Sequence, residues 1–189
     1  SSLRLVSWLG GLSSVPAADV PSSVVESIAL QTAWLEANIE YQLGANHLFV
    51  NLKALLFAGA FLGEGYGHAL VARVEPRFLA ELREQFLPDG GHYERSPMYH
   101  AILTQDLLEL VALCRHNTLP LSTETVRELE RTTRRAVAFA SLMQPPDDCV
   151  FLFNDAAANI APTVSALLQF ARVACGIELP SRSQDFDTQ

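Results

Sequence analysis

Apolar residues recur at helical spacing along most of the chain, and the interruptions fall at Gly, Pro and Ser clusters. Residues three and four apart share a helix face, so this pattern predicts helices. The first is predicted over residues 22–43, capped by a serine and ended by Gly44. Its apolar face holds Val24, Val25, Ile28, Leu35 and Ile39. The next is predicted over residues 47–62, with Asn46 as its cap. It is apolar on nearly all sides, which is typical of a buried helix.

Turn-forming residues divide the middle of the chain. The segment Gly63 to Gly67 is predicted to be a break, and a short helix follows it to about Val74. Pro76 suits the first turn of another helix, which is predicted to run to Phe86. The run Leu-Pro-Asp-Gly-Gly at residues 87–91 is a strong loop signal.

The second half of the chain predicts three more helices, over residues 97–115, 123–143 and 162–175. The first of these has Ser96 as its cap and Pro97 in its first turn, which is a good helix start. Residues 149–153 form a short apolar run that could be extended. Six or seven helices with almost no strand signal predict an all-α domain of antiparallel helical hairpins. A helical scaffold without chemistry remains open from this pattern alone.

Composition narrows the function classes. The chain has 189 residues, of which 49% are hydrophobic and 18% charged, so it can bury a core. Its net charge of −8 argues against a nucleic-acid partner. No run approaches about 18 uninterrupted apolar residues, so no membrane partner is expected. The three cysteines, Cys114, Cys149 and Cys175, are widely spaced and are interpreted as small buried apolar residues.

Polar and titratable residues concentrate at two predicted helix starts, Asn46-His47 and residues 89–100. Free N–H groups and the helix dipole make such ends natural anion sites. Capping by Ser96 places Tyr99 in the first turn, where the dipole is expected to lower its pKa. A ligand that carries a carboxylate is the natural candidate.

This set of residues could abstract a proton next to a carboxylate. Asn46 and His47 would neutralise the carboxylate, and Tyr99 would act as base, as acid or as both in turn. Each residue also has a structural interpretation: Asn46 as a helix cap, His47 as a hydrogen-bonded structural residue and Tyr99 as an amphipathic core residue. Glu94 and Arg95 could form a plain ion pair in the loop. His47, His92 and His100 lack tight ligand spacing, so no metal site is expected.

Several segments together carry a family resemblance. They are EYQLGANHLFVNLK at 40–53, LPDGGHYERSPMYH at 87–100, Phe-Asn-Asp at 153–155 and Ala-Pro-Thr at 161–163. Their order resembles the helical domain of heparinase II/III-like polysaccharide lyases. The resemblance implies part of an incomplete (α/α) toroid over residues 1–180. It also implies that residues 181–189 begin a linker to an antiparallel β-sandwich that this chain does not contain.

The resemblance also implies a function. Such enzymes cleave uronic-acid polysaccharides by β-elimination, with the residues at Asn46 and His47 neutralising the uronate and Tyr99 as catalytic acid, often also as base. Four residues of the second motif are expected to bind substrate. His92, Arg95 and His100 would make the site less acidic, and Glu94 lies between them in the sequence. The β-sandwich normally adds a histidine and often a structural metal, so this chain alone is expected to hold no cofactor and to be nearly inactive.

The resemblance leaves several alternatives open. The expected partner is an acidic polysaccharide such as a glycosaminoglycan or alginate, and the net charge favours a sparsely charged uronate polymer over heparin. A bacterial periplasmic or cytoplasmic location is left open. Exposed apolar helix faces predict self-association. The alternative function is a non-catalytic helical module that binds acidic glycans or a protein partner.

Overall fold

A computed structural model describes residues 2–116 and 119–178 of the chain. These residues form seven α-helices and no β-strand, which confirms the all-α prediction. The helices are α1 (Ser2–Leu12), α2 (Ser22–Ala37), α3 (Ala45–Leu62), α4 (Tyr66–Gln85), α5 (Pro97–His116), α6 (Thr123–Leu142) and α7 (Val164–Cys175). The predicted linker at residues 181–189 lies outside the described residues.

Helices α3 and α5 form the centre of the structure. Helix α3 packs against α1, α2, α4 and α5, whereas α5 packs against α3, α6 and α7. Short connections join α3 to α4 and α5 to α6, so each pair forms a hairpin. The α3–α4 hairpin closes tightly because Gly59 and Gly67 bring the two backbones into contact, and a side chain at Gly67 would meet the carbonyl of Gly59.

Helix α3 is the most apolar element. It is the one helix of the described residues that is long and apolar enough to cross a membrane by length and composition, and 56% of it is buried inside the structure. Leu48, Phe49, Leu52, Leu55 and Leu56 are fully or almost fully buried. The burial is that of a core helix, as its all-round apolar pattern predicts.

One charged side chain of α3 is buried between the two central helices. Lys53, the single lysine of the sequence, is 4% exposed. Its Nζ donates to Asp106 Oδ1 at 2.6 Å and to Glu109 Oε2 at 2.5 Å, both on α5. Burial alone would lower the pKa of Lys53, but attraction to Asp106 and Glu109 outweighs it and raises the pKa. Lys53 therefore stays charged and ties α3 to α5.

Two helix boundaries differ from the predictions near Asn46. Helix α2 ends at Ala37, not at residue 43, because the Asn38 side chain donates to the carbonyl of Trp34 at 2.7 Å and the backbone turns there. Helix α3 begins at Ala45 with Gly44 in the cap position, where φ is +58°. The prediction that Asn46 caps this helix is therefore wrong.

Other elements also differ from their predictions. Helix α4 is continuous through Pro76, which was expected to begin a new helix. Pro76 has no N–H to donate to the Ala72 carbonyl one turn earlier. Both residues are exposed, so water can hydrogen-bond to that carbonyl instead. Helix α1 was not predicted, and α7 begins after Thr163, two residues later than expected. Cys175 is buried as expected, but Cys114 is half-buried and Cys149 is exposed.

Candidate functional site

The first turn of α3 presents Asn46 and His47. Because Gly44 occupies the cap position without a side-chain hydrogen bond, the Asn46 amide is not used as a helix cap. The His47 side chain is 60% exposed, and its Nδ1 lies 4.0 Å from Glu40 Oε2. Asn51 donates to the same Glu40 oxygen at 3.1 Å and to the His47 carbonyl at 2.7 Å. The two predicted carboxylate-binding side chains therefore stand at an accessible helix end.

The first turn of α5 presents Tyr99, as predicted. Ser96 caps the helix, since its Oγ accepts from the Tyr99 backbone N–H at 3.3 Å. Pro97 follows in the first helical position, where its missing N–H costs nothing. The Tyr99 ring is half-buried and its hydroxyl reaches the surface. The phenol is therefore held by a well-formed helix start and can meet a ligand.

A second loop docks onto this helix start. Asn154 Nδ2 donates to the Arg95 carbonyl at 2.7 Å, and Ser96 Oγ donates to the Asp155 carbonyl at 2.7 Å. The Tyr99 hydroxyl donates to Asp155 Oδ2 at 3.0 Å. The segment Phe-Asn-Asp thus contributes a carboxylate to the site, although the sequence did not mark Asp155 as a site residue.

The contact with Asp155 reverses the expected titration of Tyr99. The hydrogen bond to Asp155 raises the pKa of Tyr99, with smaller contributions from partial burial and from the negative charges of Asp155 and Glu94. The expectation that the helix dipole lowers this pKa is therefore wrong. In the resting structure the phenol is protonated at neutral pH.

Charged groups at both helix starts act on Glu94. The pKa of Glu94 is raised by partial burial and by repulsion from Asp155, while the charge of His47 acts in the opposite direction. Tyr99 in turn feels both Asp155 and Glu94. Glu94 therefore lies within electrostatic range of His47 on one side and of Tyr99 and Asp155 on the other. Glu94 is half-buried. Among the described residues, it forms no ion pair with Arg95, which the sequence had left open.

His92 and His100 are buried, at 2% and 5% exposure. Burial lowers the pKa of each to about 4, and for His92 the proximity of His100 adds to this effect. His92 Nε2 lies 3.4 Å from Gln85 Oε1, and His100 Nε2 lies 3.1 Å from the Ala136 carbonyl. Both imidazoles are therefore neutral at pH 7. The expectation that they make the site less acidic is wrong, while a contact with substrate stays a prediction.

A cavity of about 350 Å³ lies beside the start of α5. Its lining includes His92, Arg95, His100, Phe139, Phe151 and Phe153. Most of the wall is apolar, and the Nδ1 atoms of both histidines are buried without a hydrogen-bond partner. Asp89 and Arg95 are the exposed charged residues at this cavity, and the predicted contact of Arg95 with substrate stays a prediction.

Gln85 connects the two helix starts and was not predicted. Its Nε2 donates to the Ala45 carbonyl at 2.8 Å, at the start of α3. Its Oε1 faces His92 in the loop that leads to α5. The sequence shows only a glutamine near the end of a predicted helix, which is not a specific signal for such a role.

Metal binding has no support in the described part of the chain. No group of three or more His, Cys, Asp or Glu side chains comes together there. His92 and His100 lie near each other, but two imidazoles without a third ligand do not make a typical metal centre.

The family profile described as Heparinase II/III N-terminus matches residues 13–173. The chain belongs to the heparinase II/III family. Its helical domain is therefore a module related to polysaccharide lyases. No curated protein matches the chain.

A solved structure has a similar fold. The crystal structure of heparinase III is 23% identical to this chain and superposes with a TM-score of 0.62. The match covers 89% of this chain and 27% of heparinase III, so the chain spans about a quarter of that protein. This similarity confirms the prediction that the chain folds as part of a helical toroid.

Proposed function

We propose that this chain is the part of a polysaccharide lyase that holds Asn46, His47 and Tyr99, and that the intact protein cleaves uronic-acid-containing polysaccharide by β-elimination. The observation that carries the proposal is the placement of Tyr99. Its protonated phenol stands on a capped helix start, and Glu94 lies within electrostatic range of both this phenol and His47. Family membership supports the same reaction class.

The reaction needs three functions from the protein. The negative charge of the uronate must be neutralised, because it opposes removal of the proton on the adjacent carbon. Asn46 can donate from its amide and His47 from its imidazole at the first turn of α3, where the helix dipole also favours an anion. Glu40 Oε2 lies 4.0 Å from His47 Nδ1, which is too far for a hydrogen bond, so this contact does not fix the orientation of the exposed ring.

Proton transfer completes the elimination. A base takes the proton from the carbon next to the carboxylate, the bond to the glycosidic oxygen breaks, and an acid protonates that oxygen. We assign Tyr99 as the acid of this step, because its phenol carries a proton at rest, and it would act as base only from its phenolate form; with the phenol protonated, a different group of the intact protein takes the proton from carbon. Its raised pKa prepares the acid role, because the phenol holds a proton that the leaving oxygen can take.

A cleavage assay on the intact protein tests this proposal. Alginate, heparan, hyaluronan, chondroitin and bacterial exopolysaccharides serve as substrates, and the absorbance of the unsaturated uronate reports product. We expect product from at least one sparsely charged uronate polymer. The same polymer with its carboxyl groups chemically reduced should not be cleaved, which is followed by chain length because a product without the carboxylate lacks the conjugated absorbance. Cleavage of the reduced polymer, or binding without product on all of them, would contradict a lyase that works through the uronate.

A further inference from the structure

Asp155 is fixed against Tyr99 by more than one contact. Its Oδ2 accepts from the Tyr99 hydroxyl at 3.0 Å, and its backbone carbonyl accepts from Ser96 Oγ at 2.7 Å. The preceding residue, Asn154, donates to the Arg95 carbonyl at 2.7 Å. These three hydrogen bonds join segments that are more than fifty residues apart in sequence. They leave the carboxylate little freedom to turn away from the phenol.

The backbone at this junction adopts conformations that need such support. Arg95 has φ of +56° and Asn154 has φ of +54°, and both lie in the left-handed region. For residues other than glycine this region costs about 1 kcal/mol or more. The two strained residues are the two partners of one hydrogen bond, so the junction is specified on both sides.

We propose that Asp155 is a positioning residue for Tyr99, whose carboxylate directs the phenol O–H and keeps the proton on it until a substrate oxygen takes its place. The catalytic consequence rests on the proposed function, whereas the contact itself does not. Two charged groups face the phenol. Asp155, from the loop before α7, touches it directly, and Glu94, from the loop before α5, acts through its charge alone.

The physical reason is the charge of the acceptor. A carboxylate that accepts a hydrogen bond from the phenol O–H stabilises the neutral phenol and repels a phenolate, and both effects raise the pKa of Tyr99. An asparagine in the same place can still accept a hydrogen bond, but it does not repel the phenolate. Asp155→Asn therefore separates the charge from the contact. Because Asp155 is exposed, this substitution is expected to preserve the fold.

The test is a titration of Tyr99 in the 189-residue chain. The four tyrosines are labelled with ¹³C at Cζ and followed by NMR, and the Tyr99 signal is assigned by its absence in Tyr99→Phe. We expect Asp155→Asn to lower the pKa of Tyr99. Glu94→Gln should lower it less, because Glu94 lacks the hydrogen bond. The exposed Asp147, on the same loop as Asp155, provides the control Asp147→Asn, which should leave the Tyr99 titration unchanged.

Two results would contradict a positioning role for Asp155. An unchanged or higher Tyr99 pKa in a folded Asp155→Asn chain, with the fold checked by circular dichroism, overturns the proposal. If that variant does not fold, the Tyr99→Phe chain gives a second measurement. Loss of the phenol should shift the backbone amide resonance of Asp155, and an unmoved resonance would show that the two residues do not interact.

Activity provides a separate readout in the intact protein. If Tyr99 is the catalytic acid, the alkaline limb of the pH–rate profile should move to lower pH in Asp155→Asn. A purely structural residue would lower the rate without moving this limb. If the protein cleaves no polymer, the proposed function fails, but the NMR titration still decides whether Asp155 positions Tyr99.

Discussion

The phenol of Tyr99 experiences two opposing electrostatic influences. The N-terminus of α5 favours a negative charge, which at an accessible helix end is worth about 0.3–1 kcal/mol. A hydrogen bond to a charged acceptor contributes about 1.5–3 kcal/mol and favours the protonated phenol. The nearby carboxylate of Asp155 therefore outweighs the helix, and the pKa of Tyr99 rises.

The two buried histidines should make the stability of the chain depend on pH. Their pKa values are lowered from 6.5 to about 4 in the folded state, so the unfolded state binds more protons between these values. The free energy of unfolding should be highest above pH 6.5 and should fall as the pH drops towards 4. At about 1.4 kcal/mol for each pH unit, the loss is up to about 3 kcal/mol for each histidine. Urea unfolding at several pH values between 7.5 and 4.5 measures it.

A variant isolates this contribution from that of the carboxylates. In the double substitution His92→Gln and His100→Gln, the free energy of unfolding should change less between pH 7 and pH 5 than it does in the unmodified chain. An equal loss in both proteins would mean that other groups control the acid sensitivity.

The central helices α3 and α5 both deliver a polar first turn to the site. Their relative position therefore decides whether Asn46 and Tyr99 can act on one substrate. Lys53 links the two helices through Asp106 and Glu109, and Gln85 fixes the start of α3 to the loop before α5. Polar contacts across the core thus complement the apolar packing between these elements.

Removing the lysine should be costly. Lys53→Met leaves two carboxylates facing each other in a largely buried setting, and breaking such a buried pair costs roughly 3–5 kcal/mol. Urea unfolding of the chain measures the loss. Arg83→Met is the matched control, because it breaks an ion pair with Glu124 whose side chains are 52% and 65% exposed. That control should cost at most about 1 kcal/mol. Equal losses in the two variants would show that the buried link is not important.

Local sequence signals predicted the start of α5 and of α6 because a serine cap and a first-turn residue specify each one. They failed where one residue type has two structural uses. Pro76 can begin a helix or lie within one, and the exposure of the preceding turn decides between them. Gly44 was expected to end one helix, but it caps the next, and Asn38 ends the first.

The candidate site was predictable to the extent that it is local. Asn46, His47 and Tyr99 each lie in a first helical turn, and each of the two motifs that contain them is contiguous. Asp155 could not be assigned from spacing, because its contact with Tyr99 depends on how a long loop folds back over α5. The burial of His100 likewise depends on packing against α6, and His92 packs against Gln85 and Phe86 at the end of α4.

At the scale of the whole molecule, the outer face of α2 is unusually apolar. Leu30 and Trp34 are 73% and 58% exposed, and their spacing places them on one side of the helix. Such a face favours association. We expect the average mass of the chain to rise with concentration in sedimentation velocity, and Leu30→Gln with Trp34→Gln to reduce that rise. A constant monomer mass over a wide concentration range would contradict the expectation.

The net charge of −8 also bears on substrate choice. Glu40, Glu94 and Asp155 lie around the proposed site, whereas His92 and His100 are neutral at pH 7. Under the proposed function, a uronate would have to be recognised locally, by Asn46 and His47, against a surrounding negative field. This arrangement favours a polymer with one carboxylate at each cleavage point over a densely sulfated chain.

The most direct test of the account is the effect of Tyr99→Phe on cleavage by the intact protein. The matched control is Tyr66→Phe, since Tyr66 also donates to a carboxylate, Glu36, at 3.2 Å but begins α4, beyond the C-terminal end of α3, whereas Asn46 lies at the N-terminal end of α3. With the polymer that gives unsaturated product, Tyr99→Phe should lower kcat at least about 100-fold with the fold unchanged, and Tyr66→Phe should have little effect. Comparable cleavage by Tyr99→Phe and the unmodified protein would contradict the assignment of Tyr99 as the catalytic acid.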